Sequence, residues 1–140
     1  MKIYVFESAL RFLSLDDPYI LKTLKRDLLT LEQELLLNPP KLLLGIGRGP
    51  KTCYEPVAIN RFHRNPHIVE GRPDQLSLFV PSSAIPVSSL PTTSFCNWSA
   101  YLLADFIEQE KLSTKISLLH FRPEDADRVM TEVSRLSKIF

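Results

Sequence analysis

The chain has 140 residues and a mass of 16.0 kDa, which is the size of one domain and large enough to bury a core without disulfides or metal. Apolar residues make up 44% and charged residues 24% of the chain, which excludes a disordered protein. The net charge is +1 and no run of about 18 apolar residues occurs, so we expect no binding to nucleic acid and no membrane span.

The first half of the chain alternates strand and helix signals. Lys2–Phe6 is a short β-branched apolar run that predicts a strand. Asp16-Asp17-Pro18 is typical of a helix start, and we predict a helix over about residues 18–37. The apolar face of this helix consists of leucines three and four residues apart: Leu21, Leu24, Leu28, Leu31 and Leu35. Residues Lys41–Ile46 predict a strand buried on both faces, and Gly47–Pro50 predict a tight turn.

The second half continues this alternation after a long polar segment. The predicted elements are an extended segment at Thr52–Asn60, a loop over 61–83 with a possible strand at Leu76–Val80, a short strand at Ala84–Ser88, a helix at Asn97–Glu110, a strand at Lys115–Phe121 and a last helix opened by Pro123-Glu124-Asp125. This order predicts a single α/β domain over residues 1–140, with helices layered on a mostly parallel sheet.

Two patterns that resemble cofactor or metal sites are better explained as structure. The glycines at Gly45, Gly47 and Gly49 are followed by Pro50 rather than by a helix, so they do not match a dinucleotide fingerprint. His63 and His67 are four residues apart, but Pro66 between them disfavours a helix that would place both on one face. We therefore expect no cofactor and no metal.

Cys96 is the strongest candidate for chemistry from the residues alone. It follows a loop and directly precedes the predicted helix at Asn97, where unpaired N–H groups and the helix dipole favour a thiolate and can bind an oxyanion. A thiol hydrolase also needs an imidazole and an acid that orients it. His120, at the end of a buried strand, is the histidine best suited to rigid placement. The alternative is that Cys96 is a small buried core residue.

Three short blocks in this order resemble the pyroglutamyl peptidase I family of cysteine peptidases. Gly47-Arg48 followed by Glu55–Asn60 resembles the glycine-rich G-R turn and E-R-V-A-I-N block of that family. Ser94-Phe95-Cys96-Asn97, with Tyr101 and Leu102 behind it, resembles its nucleophile block, T-F-V-C-N-x-x-x-Y-x-L. Leu118–Pro123 resembles its histidine block, G-F-I-H-I-P.

The resemblance implies a three-layer α/β/α fold of the phosphorylase/hydrolase-like type, with a mostly parallel sheet. It implies that Cys96 is the nucleophile, His120 the general acid and base, and Glu55 the acid that orients His120. It further implies that Arg48 and the Cys96 N–H lie near the oxyanion, and that Phe95 contacts substrate. The implied reaction removes an N-terminal pyroglutamyl residue from peptides through a thioester, without cofactor or metal, and the resemblance favours a homo-oligomer. Two cysteines and the lack of an export signal predict a cytoplasmic location.

The chain departs from the family pattern in two segments. Only Phe6-Glu7 resembles the T-G-F-E-P-F loop that follows the first strand, and the stretch between Asn60 and Cys96 is short. The chain is therefore identified as a shortened member. The alternative function is that of a non-catalytic homologue that keeps the site residues and acts as a binding or assembly protein.

The second cysteine, Cys53, lies two residues before Glu55 in an extended segment, so both side chains are expected on one face. We hypothesise that Cys53 lies close enough to Cys96 to form a reversible disulfide on oxidation. The alternative is that Cys53 is a small buried core residue.

Overall fold

Five strands form the main sheet in the computed structural model, which describes residues 1–22 and 24–140. They are β1 (Lys2–Phe6), β2 (Tyr19–Leu21), β3 (Leu42–Arg48), β4 (Cys53–Tyr54) and β7 (Lys115–Phe121), arranged in the order β2-β1-β3-β7-β4. All neighbours are parallel except β4, which runs antiparallel to β7. Two further strands, β5 (Val57–Ile59) and β6 (Gln75–Ser77), pair antiparallel in a separate small sheet.

Helices cover both faces of the main sheet. They are α1 (Glu7–Leu10), α2 (Leu24–Leu37), α3 (Phe95–Gln109) and α4 (Ala126–Ile139), and a 3₁₀ turn at Pro123–Asp125 precedes α4. One core cluster packs α2 and α3 against the sheet through residues such as Leu31 and Leu103, and a second packs α1 and α4 against the other face through Ala9 and Val129. The predicted three-layer α/β/α fold with a mostly parallel sheet is therefore confirmed.

The predicted helix over residues 18–37 is wrong at its beginning. Tyr19–Leu21 forms β2, because these residues pair in parallel with Tyr4–Phe6 at the sheet edge. The helix itself starts at Leu24, after Thr23, which lies outside the described residues, as does the side chain of Leu24. Tertiary pairing has overridden a local helix-start signal here. The short helix α1 was not predicted.

Four further segments differ from the predictions. Gly47 and Arg48 belong to β3 rather than to a turn, since the β7 pairing continues to Phe121. Thr52–Asn60 is divided between two sheets at Glu55-Pro56, because Pro56 lacks the N–H that a continuous ladder needs. Ala84–Ser88 is not a strand and makes only a bridge from Val87 to Tyr54, and Leu76–Val80 contributes a strand only at Gln75–Ser77.

None of the helices in the described part of the chain has the length and apolar character needed to cross a bilayer.

Candidate active site

The candidate site lies where β3 and β7 end, at the carboxyl edge of the parallel strands. His120 is the penultimate residue of β7 and pairs with Gly47 of β3 on one side and with Cys53 of β4 on the other. Seven residues of β7, Lys115–Phe121, form the strand that the sequence predicts, and all except Lys115 are buried. A central, buried strand gives His120 a rigidly fixed backbone.

Glu55 is held against His120 by the edge strand β4. The backbone N–H of Glu55 donates to the Leu118 carbonyl at 3.0 Å, which continues the antiparallel pairing of β4 with β7. Glu55 Oε1 then lies 3.0 Å from His120 Nδ1, and only 3% of Glu55 and 5% of His120 is exposed. Because Glu55 occupies Nδ1, the other ring nitrogen, Nε2, remains for proton exchange with a nucleophile.

The same edge of the sheet brings Cys96 to His120. Burial alone would lower the pKa of His120, but its hydrogen bonds to Cys96 and Glu55, and the negative charges of both, raise that pKa from 6.5 to about 9. The imidazole therefore keeps its proton at neutral pH in the presence of the thiolate. The arrangement can hold a thiolate–imidazolium pair that is oriented by a carboxylate, as a thiol hydrolase requires.

Glycines at the end of β3 and just after it make the room for this arrangement. A methyl group added at Gly47 would lie 2.5 Å from Cys96 Sγ, closer than atoms can approach, so no larger residue fits there without a shift. A methyl group at Gly49 would lie 3.2 Å from Cβ and 3.3 Å from Cγ of His120. The glycine pattern that resembles a cofactor loop in the sequence thus lies on one face of β3 and of the residue that follows it, under Cys96 and His120.

Cys96 lies in the first turn of α3, two residues deeper in the helix than the sequence predicts. Helix α3 begins at Phe95, with Ser94 as its extended N-cap residue, rather than near Asn97. The first N–H groups of an α-helix have no intrahelical acceptor, and they carry the positive end of the dipole. Cys96 therefore combines a thiol with N–H groups that can bind an oxyanion.

Asn97 anchors the start of this helix to the small sheet. Its Oδ1 accepts a hydrogen bond from the Ile59 N–H at 2.9 Å, and its Nδ2 donates to the carbonyls of Ile59 at 2.9 Å and Arg61 at 3.1 Å. Asn60 fixes the following loop in the same way, with bonds to the backbone of Ile68 and Val69 among others. Both asparagines belong to the sequence blocks quoted above, and the structure gives them this anchoring role.

Phe95 lies in a half-exposed aromatic cluster beside Cys96. Its ring centroid is 4.9 Å from that of Phe62 and 5.9 Å from that of His63, and Phe62 is 6.1 Å from Trp98. The His63 N–H donates to the Thr93 carbonyl at 3.0 Å, which ties this loop to the segment before Cys96. The cluster offers apolar surface next to the thiol, and Phe95 itself is 46% exposed.

Arg48 ends β3 with its side chain directed away from Cys96. Its guanidinium carbon lies 5.0 Å from the centre of the Phe12 ring, on the sheet face opposite the one on which Gly47 contacts Cys96. The structure does not bring this side chain to the thiol. Phe6, at the end of β1, lies closer to it, since Cδ2 of Phe6 would be 3.5 Å from a methyl group at Gly47.

Cys53 faces Glu55, as the extended spacing predicts, with Sγ 3.9 Å from Glu55 Oε1. Burial and the charge of Glu55 raise the pKa of the Cys53 thiol. Cys53 pairs with His120 and His120 pairs with Gly47, so β7 separates Cys53 from the residue that Cys96 covers. Two strand spacings place Cys53 about 9.6 Å from Gly47 across the sheet, and the Cys53 side chain is buried; the disulfide with Cys96 stays a prediction. This geometry favours the core interpretation of Cys53.

His63 and His67 lie in the loop after β5 rather than on a helix. Among the described residues no group of three or more His, Cys, Asp or Glu side chains is arranged to hold a metal ion.

The fold is shared with solved peptidase structures, although no protein-family model and no curated protein matches the sequence. Pyroglutamyl peptidase I from Bacillus amyloliquefaciens matches with a TM-score of 0.61 and 19% identity, over 85% of this chain and 79% of that one. Pyrrolidone carboxyl peptidase from Thermococcus litoralis matches with a TM-score of 0.61 and 17% identity, over 86% and 76%. A mutant pyrrolidone carboxyl peptidase from Pyrococcus furiosus matches with a TM-score of 0.68 and 17% identity, over 100% of both chains. These matches confirm the expected resemblance at the level of the fold.

Proposed function

We propose that this chain, which has the fold of the pyroglutamyl peptidases, is a cysteine peptidase that removes N-terminal pyroglutamyl residues from peptides. The observation that carries the proposal is the buried contact of 3.0 Å between Glu55 and His120, with Cys96 Sγ and Cδ2 of the same imidazole both lying against Gly47. Cys96 is the proposed nucleophile, His120 the acid and base, and Glu55 the orienting carboxylate. Ordinary buried cysteines do not have such partners.

The proposed reaction has two halves, each with one proton transfer through His120. In the first, Sγ of Cys96 attacks the carbonyl carbon that joins the pyroglutamyl residue to the next amino acid. The C–N bond then breaks, the His120 imidazolium gives its proton to the leaving amine, and a thioester remains. In the second, His120 takes a proton from water, the resulting hydroxide attacks the thioester, and the C–S bond breaks to release 5-oxoproline and the thiolate.

The tetrahedral oxyanion of each half-reaction needs donors that are fixed before the reaction begins. The N–H of Cys96, in the first turn of α3, is the proposed donor. That Arg48 also stabilises the oxyanion remains a prediction. Because its guanidinium lies over the Phe12 ring, the backbone of Arg48 is a simpler candidate for this contact than its side chain. An Arg48→Ala variant that keeps full turnover would exclude the side chain from this role.

Phe95 is the proposed contact for the substrate. The pyroglutamyl ring is neutral and compact, so apolar surface beside the thiol can bind it without a charged partner. Phe95 and Phe62 supply such surface within 4.9 Å of each other. A Phe95→Ala variant is expected to raise KM more than it lowers kcat, because it removes contacts made in both the ground state and the transition state.

The test is release of the fluorophore from a pyroglutamyl arylamide, with the matched prolyl arylamide, which lacks the lactam carbonyl, as control substrate. The wild type is expected to cleave the first and not the second, and Cys96→Ser is expected to cleave neither. If the wild type releases no more fluorophore than Cys96→Ser, the proposal is wrong for this substrate. The alternative, a non-catalytic homologue that binds or assembles, then becomes the better explanation.

Homo-oligomer formation and a cytoplasmic location remain predictions. Two leucines on the outer face of α2 are accessible for self-association, Leu29 at 55% and Leu36 at 42% exposure. Because they are seven residues apart, they lie on the same side of the helix. Sedimentation equilibrium of the wild type and of Leu29→Glu tests this expectation, since a charge would weaken an apolar contact there.

A further inference from the structure

Tyr4 places a polar group in the core without an acceptor. Its side chain is fully buried, and its hydroxyl has no hydrogen-bond partner within the part of the chain that the structure describes. An unpaired buried hydroxyl is destabilising, so nearly all such groups in folded proteins are paired. Phenylalanine would fill the same volume without this cost. The hydroxyl at this position therefore calls for an explanation.

The neighbouring strand is shaped to admit the phenol. Tyr4 pairs with Gly45 in the β1–β3 register, and a methyl group at Gly45 would lie 2.2 Å from Cζ and 2.3 Å from the hydroxyl oxygen of Tyr4. The oxygen thus lies directly over a residue that has no side chain. The next residue on this face of β3 is Gly47, whose missing side chain is replaced by Cys96 Sγ. The phenol and the thiol therefore occupy adjacent glycine positions on one strand face.

Helix α3 closes the space above both groups. Ser99, one turn after Cys96, is fully buried, and its hydroxyl donates to the Cys96 carbonyl at 2.9 Å. Burial raises the pKa of the Tyr4 hydroxyl, the negative charge of Cys96 raises it further, and the nearby Ser99 hydroxyl opposes this only in part. The phenol therefore keeps its proton, and its O–H remains a donor that no other described residue accepts.

We infer that Tyr4 is a positioning residue that stabilises the thiolate of Cys96 from beneath. The O–H bond can rotate so that its positive end points to the sulfur, and a dipole of this kind acts strongly at a buried position. The unpaired hydroxyl lowers the free energy of unfolding, and the same hydroxyl makes the thiol more reactive. This inference rests on the proposed role of Cys96 as a thiolate nucleophile.

The experiment measures alkylation of Cys96 by iodoacetamide from pH 5 to 9 in the wild type and in Tyr4→Phe, followed by peptide mass spectrometry. Loss of the hydroxyl is expected to move the pH of half-maximal rate upward by about 0.5–1, which lowers the rate at pH 6 about 3–10-fold. The melting temperature is expected to stay the same or rise, since an unpaired buried group has been removed.

Tyr101→Phe is the matched control. Tyr101 is also buried, but its hydroxyl donates to the Pro73 carbonyl at 2.6 Å. Its removal is expected to lower the melting temperature and to leave the alkylation profile unchanged.

Coincident alkylation profiles of Tyr4→Phe and wild type would overturn the inference, whether or not the melting temperature changes. Failure of the proposed peptidase function is a separate result. It appears as absence of arylamide cleavage by the wild type, and it leaves the comparison of the alkylation profiles readable.

Discussion

Two buried glutamates on opposite faces of the sheet differ in how fully they are hydrogen-bonded. Glu132 of α4 accepts bonds from Tyr54 at 2.7 Å, from Arg135 at 2.7 Å and from the Ser83 hydroxyl, so both of its oxygens have donors. Glu55 binds His120 through Oε1, whereas its Oε2 has no partner among the described residues. A fully paired carboxylate stabilises a fold, and one with an open acceptor is suited to chemistry.

The two glutamates are connected through β4. Tyr54 and Glu55 are neighbours in the chain, so their side chains point to opposite faces of the sheet. The bond from Tyr54 to Glu132 fixes the edge strand against α4, and Thr52 fixes its start through a bond of 2.6 Å to Asp125. The hydrogen-bond network on one face therefore holds in place the strand that leads into Glu55 on the other face.

The largest expected effect is a loss of turnover when Glu55, but not Glu132, loses its charge. Glu55→Gln keeps the shape of the side chain but removes the charge that orients and stabilises the His120 imidazolium. We expect turnover of the pyroglutamyl arylamide to fall about 10²–10⁴-fold, with a much smaller change in the free energy of unfolding. Steady-state kinetics and urea unfolding of the same preparation measure both quantities.

Glu132→Gln is the control for that variant, because it makes the same chemical change on the other face. It is expected to keep turnover within a few-fold of the wild type. Equal losses of turnover in both variants would mean that the difference in pairing has no functional meaning.

The next effect is a pH dependence of stability that comes from His120. Its pKa of about 9 in the folded protein, against 6.5, corresponds to about 3 kcal/mol at about 1.4 kcal/mol per pH unit. Because the folded pKa is the higher one, this stability is fully present below pH 6.5 and is lost as the pH rises through about 9. Urea unfolding at pH 6, 7.5 and 9.5 measures it. A His120→Gln variant should lack this decline, and a decline of equal size in the variant would assign it to other groups.

A smaller effect on stability is expected from Glu132. Burial alone would raise the pKa of Glu132, but hydrogen bonds from Arg135, Ser83 and Tyr54 outweigh burial and lower it. We expect Glu132→Gln to reduce the free energy of unfolding by about 2 kcal/mol at pH 7. A group with a lowered pKa stabilises the fold above its unfolded pKa, so the difference between variant and wild type should shrink as the pH falls below about 4.5. A difference that stays constant from pH 7 to pH 3 would contradict this assignment.

The sequence predicted best those parts of the molecule where local pattern and tertiary environment agree. Lys115–Phe121 is apolar throughout and is buried on both faces, so its strand was predicted with the observed bounds. The helix prediction was wrong at Tyr19–Leu21 because these residues form a strand only by pairing with β1, and no local signal in the sequence reveals that pairing. The turn prediction was wrong at Gly47 and Arg48 because glycine commonly indicates a turn. Here its missing side chain leaves room for other side chains to pack over a strand.

The candidate site depended on a resemblance rather than on periodicity. Composition and spacing left the core interpretation of Cys96 open, and only the order of three short blocks selected Glu55 and His120 as its partners. The role of Tyr4 was missed, since a tyrosine in a predicted strand indicates only core packing. The signal that could have found it is the alternation of Gly45, Gly47 and Gly49, which on a strand marks one face without side chains.

The smallest expected effect compares two of these glycines. Gly47→Ala places a methyl group 2.5 Å from the present position of Cys96 Sγ, whereas Gly49→Ala places one 3.2 Å from Cβ of His120. Sulfur is the end of a short side chain and can move by rotation about χ1, so Gly47→Ala is expected to displace the thiol at little cost in stability. The Cβ of His120 cannot move unless the β7 backbone moves with it. Gly49→Ala is therefore expected to strain the packing and to lower the free energy of unfolding by about 1 kcal/mol. Alkylation of Cys96 at pH 7 should therefore slow about 10-fold in Gly47→Ala and stay within about 3-fold of the wild type in Gly49→Ala. The reverse order of rates would show that the position of His120, rather than the space under the thiol, limits the reactivity of Cys96.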